Sequence, residues 1–93
     1  MLKVFKYNLP LDDYFKVDLP KGAKILCIDT QFTVPQMWAL VDPDEAETEA
    51  RQFRFAGTGH NITETPEQLE FIDTFQMRDG NLIFHVFEVK ESL

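Results

Sequence analysis

The sequence of 93 residues contains a single cysteine, Cys27, and its apolar runs are only a few residues long. One cysteine can form neither an intramolecular disulfide nor a cysteine-based metal cluster. Apolar runs this short fall well below the roughly 20 residues that a membrane-spanning helix needs. The segment Met1–Lys6 lacks the apolar core of a secretory signal. We therefore expect a cytoplasmic protein with no membrane partner.

Basic residues are also scarce, with 9 against 16 acidic residues and a formal net charge of −7. Nucleic acid and anionic membranes are repelled by a field of this sign, so neither is expected as a direct partner. The net charge is unevenly distributed along the chain, since residues 1–36 carry a net charge of +1 and residues 37–93 a net charge of −8.

The densest acidic cluster holds five carboxylates within eight residues: Asp42, Asp44, Glu45, Glu47 and Glu49. The cluster lacks the glycine at position six and the glutamate at position twelve of an EF-hand loop, so it does not predict a calcium site. Two interpretations remain, a solvated acidic loop or a surface that binds a basic region of a protein partner. Charge complementarity of the second kind mainly accelerates encounter and weakens with salt.

A sustained helical periodicity is absent, and short alternating segments take its place. An apolar fraction of 44%, with nine Phe, two Tyr and one Trp, supplies one compact core. Turn residues divide the chain at intervals of 8–12 residues, which indicates a small antiparallel β-sandwich or barrel of six to seven strands. We predict a single all-β domain over residues 1–93, with at most one short helical turn near Asp42–Glu45. The predicted strands are Lys3–Tyr7, Tyr14–Leu19, Lys24–Phe32, Gln36–Val41, Arg51–Phe55, Leu69–Met77 and Leu82–Val89.

Alternation within these segments predicts which side chains face the core. Phe15, Val17 and Leu19 share one face, and Phe53 and Phe55 point inward while Gln52 and Arg54 point outward. Cys27 lies in the apolar stretch Ile25–Ile28, where a cysteine is expected to act as a small core residue. Arg78–Asn81 contains Asp-Gly between two apolar runs and predicts the turn of a hairpin.

The segment around Trp38 is apolar on both of its faces. Met37, Ala39 and Val41 lie on one side, and Trp38 and Leu40 on the other. One side belongs to the core, so the other is expected to contact a second sheet or a second subunit. Small all-β domains must also protect their edge strands. We therefore expect a homodimer or a higher homo-oligomer.

The loop Gly57-Thr58-Gly59-His60 follows a predicted strand. Glycines on either side of Thr58 allow positive φ, and successive backbone N–H groups in such a loop can hold an anion. No helix pattern follows, so the context of a phosphate-binding loop is missing. The loop is either a tight turn that Thr58 and His60 hold in place, or a contact for a ligand or partner. Arg51, Arg54 and His85 are further candidate ligand contacts.

Catalytic and metal-binding signatures are absent. The sequence has two histidines and no nucleophile elbow, Cys-His arrangement, Walker loop or dinucleotide fingerprint. His85 shares a strand face with Ile83, Phe87 and Val89, so we expect it to be partly buried, neutral and hydrogen-bonded. A meeting of His60 and His85 with a carboxylate such as Asp29, Asp73 or Glu88 could hold zinc or iron, but no ligand spacing supports it. We predict no catalytic residue, metal or cofactor.

Four short sequence segments occur in a distinctive order: LPKGAKIL at 19–26, WALVD at 38–42, FRFAGTGH at 53–60 and HVFE at 85–88. In that order they resemble a family of small phage and prophage proteins that is described only as a domain of unknown function. The resemblance covers about Tyr7 to Glu88, and Gly57–His60 is its most specific part. It implies a phage origin and thus the cytoplasm of a bacterial host, and it carries no activity. Relatives often have proline after the histidine, where this chain has Asn61.

Size, acidity and the resemblance together favour a non-catalytic phage accessory protein that binds and modulates a host protein through its acidic surface. One alternative is a protein that binds or sequesters a small ligand or nucleotide with the Gly57–His60 loop. Another is a structural or assembly protein of the phage.

Overall fold

The computed structural model describes residues 1–90 and confirms the all-β class. The seven strands are β1 Lys3–Asn8, β2 Tyr14–Pro20, β3 Lys24–Gln31, β4 Val34–Val41, β5 Thr48–Gly57, β6 Leu69–Met77 and β7 Leu82–Val89. One turn of 3-10 helix, Pro66–Gln68, precedes β6. Every predicted strand is present, and β5 is longer than expected at both ends.

The strands form two antiparallel sheets, one in the order β1-β4-β3 and the other in the order β2-β5-β7-β6. Their inner faces share one core, which shields the phenylalanine-rich faces from water. Phe55 lies at the centre of the aromatic packing, with ring centroids 4.7 Å from Phe15 and 5.3 Å from Phe75. Burial of each such side chain is worth about 1.5–3 kcal/mol. The core residues are Leu9, Phe15, Leu19, Ala23, Ile28, Met37, Ala39, Val41, Phe53, Phe55, Phe75 and Val86.

The two sheets meet where β3 lies against β6. The Ile28 N–H donates to the Asp73 carboxylate at 2.9 Å, and the Thr30 hydroxyl donates to the Gln76 carbonyl at 3.4 Å. Both strands carry a bulge at this seam, between Ile25 and Cys27 in β3 and between Phe71 and Asp73 in β6. The two sheets are therefore joined here by hydrogen bonds that involve side chains, in place of a regular series of backbone hydrogen bonds.

The bulge in β3 overturns the prediction that Cys27 belongs to the core. Leu26 is the extra residue, so Cys27 pairs with Trp38 on the outer face and is exposed, while Ile28 takes the core position. One inserted residue exchanges the two faces of a strand, since side chains alternate with a period of two. Desolvation, followed by the charges of Asp73 and Asp29, raises the pKa of the Cys27 thiol.

The acidic segment forms a turn and not a helical turn. The Asp42 carboxylate accepts from the Asp44 N–H at 3.0 Å, and the Asp42 carbonyl accepts from the Glu45 N–H at 3.1 Å. No apolar stripe follows that could bury a helix here, and aspartate favours such local turns. The helical turn lies instead at Pro66–Gln68, where the Thr65 N–H donates to the Gln68 side chain at 2.9 Å.

Candidate functional site

The Gly57–His60 loop closes as a tight turn. The His60 N–H donates to the Gly57 carbonyl at 3.0 Å, and Gly59 has a φ of +86°, which a glycine adopts without strain. The exposed His60 ring packs over Gly57, where a Cβ would lie 2.7 Å from it and would displace the ring. The Thr58 N–H donates to the Ile83 carbonyl at 3.3 Å. Two of the N–H groups that an anion nest would use are thus already committed.

His85 lies on the outer face of β7 between two threonine hydroxyls. Its Nε2 is 2.8 Å from the Thr58 hydroxyl, and its Nδ1 is 3.0 Å from the Thr74 hydroxyl. Since Thr58 belongs to the loop and Thr74 to β6, His85 connects three elements. The expectation of a partly buried, hydrogen-bonded histidine is confirmed.

A shallow groove of about 260 Å³ runs beside this loop, lined by Gly57, Thr58, His60 and residues 81–84. Ligand pockets for small molecules usually enclose about 300–1,000 Å³. The groove is therefore small for a nucleotide, although His60 stands exposed at its rim.

Arg51, a candidate ligand contact, is held by other parts of the chain. Its Nε and Nη2 donate to the two oxygens of Glu88 at 2.7 and 2.8 Å, and its Nη1 donates to the Ala23 carbonyl. Hydrogen bonding to Glu88 raises the pKa of Arg51. Both side chains are largely buried, with 19% and 16% of their surface exposed. The pair joins β5 and β7 to the turn before β3.

Arg54 lies on the outer face of its sheet, as predicted, but the loop after β5 buries it to 7% exposure. Its Nη2 donates to the Asn61 carbonyl at 2.9 Å, and its guanidinium stacks 4.7 Å from the centre of the Tyr14 ring. The Tyr14 hydroxyl donates to Glu64 at 2.6 Å. Arg54 and Tyr14 thus fasten this loop over the sheet. Alternation within β5 could not reveal a covering segment that lies later in the chain.

The acidic segment is exposed at four of its five carboxylates, and Asp42 is half-buried. Glu47 lies 3.2 Å from the Lys21 ammonium, and Glu49 accepts from the Gly22 N–H at 3.3 Å. The Glu45 carboxylate accepts from the Glu47 N–H at 3.1 Å. In the described residues, Lys21 is the one basic side chain that forms an ion pair with this segment, so most of its charge faces solvent.

Two further observations concern metals and membranes. Within residues 1–90, no three side chains of His, Cys, Asp or Glu converge to hold a metal ion. Glu88 is paired with Arg51, and Asp73 accepts from the Ile28 N–H. No helix in this described part is long and apolar enough to cross a membrane.

Fold and loop geometry together define a small two-sheet β-protein whose polar loop contacts are internal and whose acidic turn faces solvent. Over residues 1–93 the chain matches the family model described as a domain of unknown function, DUF7352, and it belongs to that family. No curated protein and no solved structure is detectably similar to it.

Proposed function

We propose that this chain is a non-catalytic phage accessory protein that binds and modulates a host protein through the acidic segment Asp42–Glu49. The observation that carries the proposal is the exposure of this segment as a turn held by its own hydrogen bonds. The turn fixes the backbone that carries these carboxylates, so a basic surface that docks on them orders little additional backbone.

The small-ligand alternative has weaker support. Arg51 and Arg54 would have to offset the charge of a phosphate-rich ligand, and both guanidinium groups are already bound within the chain. A clear rise in melting temperature with nucleotides would favour this alternative. A role in phage assembly has no separate structural support, and recovery of a virion component as the partner would favour it.

The test is affinity capture from bacterial lysate at low and high salt, with the purified partner then titrated by calorimetry. The test variant combines Asp44→Asn, Glu45→Gln, Glu47→Gln and Glu49→Gln, which changes the net charge from −7 to −3. The control combines Asp12→Asn, Asp18→Asn, Glu67→Gln and Asp79→Asn, which reaches the same net charge with the acidic segment intact.

Affinity should fall by at least tenfold in the test variant and by much less in the control, and should decrease with salt. Both variants should fold, because the substituted side chains are exposed. Equal binding by the two variants would show that the acidic segment is not the contact.

A further inference from the structure

The outer face of the β1-β4-β3 sheet has an apolar centre, which we term the Trp38 face: Val4, Leu26, Cys27, Trp38 and Leu40. Val4 is 53% exposed and Leu26 is 45% exposed. An open depression of about 480 Å³ follows this face. On the other sheet, by contrast, the loop after β5 buries Arg54 and contacts Tyr14. A contiguous apolar patch with a polar rim is typical of a protein interface.

The charges at the rim of the Trp38 face complement one another under a twofold rotation. Lys24 pairs with Leu40 at one end of β3, and Asp29 pairs with Gln36 at the other, so both lie on the outer face. Neither forms an ion pair within residues 1–90. A twofold axis that crosses β3 near Cys27 places Lys24 of each copy opposite Asp29 of the other. Such self-complementarity is the requirement of an isologous dimer.

Two other polar side chains of this face offer little to a second copy. Gln36 is covered by the chain itself, with 4% of its surface exposed. Lys6, the remaining cation of the face, is held by Gln31 at 2.6 Å.

We propose that two copies of this chain pack Trp38 face against Trp38 face, with two symmetric Lys24–Asp29 ion pairs at the rim. Pairing through the β1 edges would instead bring Lys3 and Lys6 of both copies to one junction, and lysines on an edge strand oppose such pairing. No residue of the acidic segment belongs to the Trp38 face, so the proposal does not depend on the proposed function.

The test is sedimentation equilibrium of the purified chain from about 1 μM to about 300 μM, a range that brackets weak and moderate dimers. The average mass should rise from 10.8 kDa towards twice that value. Leu26→Ser, Lys24→Glu and Asp29→Lys should each raise the dimer Kd by about tenfold or more, since each change occurs twice per dimer. Lys16→Glu, on an exposed position of β2, is the matched control and should not change Kd.

The double variant Lys24→Glu with Asp29→Lys exchanges the two charges and should restore the dimer, which a merely structural role would not produce. This arm remains informative if Leu26→Ser fails to fold. A chain that stays monomeric throughout, or a dimer that ignores the Leu26 and Lys24 substitutions, would overturn the proposal. The proposal would also be overturned if the chain is monomeric and Leu26→Ser abolishes its capture of a host protein. The Trp38 face would then be the surface that binds this partner.

Cys27 supplies an independent measurement. It is exposed and lies close to the proposed axis, so a short bis-maleimide should join two chains into a covalent dimer. The yield should rise with concentration and fall in Lys24→Glu. A yield that does not change with that substitution would contradict the assigned geometry.

Discussion

At the tip of the β3–β4 hairpin, Phe32 and Thr33 both adopt positive φ, at +51° and +66°. A two-residue hairpin loop with both φ values positive matches the type I′ turn, which favours Asn-Gly because left-handed angles crowd a Cβ. Thr33 is branched at Cβ, so its conformation is strained. Phe32 at the same tip is 90% exposed, so its ring gains almost nothing from the core.

Thr33→Gly should therefore increase the free energy of unfolding by about 1 kcal/mol, the relief of strain less the added entropy of the unfolded chain. For a domain of this size the melting temperature should rise by about 4–8 °C. Chemical and thermal unfolding measure both quantities. The control is Gly80→Ala at a φ of +89°, which should change stability in the opposite direction. Equal destabilisation by both substitutions would show that the turn at Thr33 is unstrained.

At the scale of strands and loops, alternation was sufficient to predict the strands and most of the core. It placed Phe15 and Leu19 in β2, and Phe53 and Phe55 in β5, on the inner face, as the structure shows. The same rule was wrong at Cys27, because a bulge depends on contacts with β4 that local sequence does not encode. The sequence Thr65-Pro66-Glu67-Gln68 has the capping-box pattern, a local signal for the 3-10 turn that strand alternation does not detect.

The loop contacts were harder to predict, since they join residues distant in sequence. Nothing near Arg51 indicates that Glu88, 37 positions later, accepts from two of its three guanidinium nitrogens. The position of His85 between Thr58 and Thr74 likewise depends on the order of β5, β7 and β6 in the sheet. The sequence is enough to identify Arg51 and His85 as polar candidates. Their hydrogen-bond partners depend on which strands are neighbours in the sheet.

Glu88→Gln tests whether the Arg51–Glu88 pair stabilises the fold. Its loss leaves a largely buried guanidinium without a counter-charge, so the free energy of unfolding should fall by about 2 kcal/mol. Urea denaturation measures the change, and Glu70→Gln is the matched control. Glu70 pairs with Lys90 in an exposed pair, so that change should stay within about 0.5 kcal/mol. If both substitutions cost equally little, Arg51 would be free to contact a ligand.

For the molecule as a whole, the net charge of −7 is concentrated in the part of the chain that includes the acidic segment. Four exposed carboxylates within six residues repel one another, and the Lys21–Glu47 pair offsets a single charge of that cluster. Repulsion between exposed charges extends over about 30 Å at 10 mM salt and over less than 10 Å near 300 mM. Salt should therefore stabilise the folded chain by screening this repulsion.

The melting temperature should accordingly rise by a few degrees between about 10 mM and about 300 mM sodium chloride. This rise should be smaller in the two neutralised variants, and the reduction should be larger in the test variant than in the control. The test variant is Asp44→Asn, Glu45→Gln, Glu47→Gln, Glu49→Gln, and the control has Asp12, Asp18, Glu67 and Asp79 neutralised. Both variants have a net charge of −3, so they differ only in where the charge was removed. Calorimetry at low protein concentration keeps dimerisation from contributing. Equal salt responses in the two variants would mean that total charge, and not its concentration in one turn, destabilises the fold.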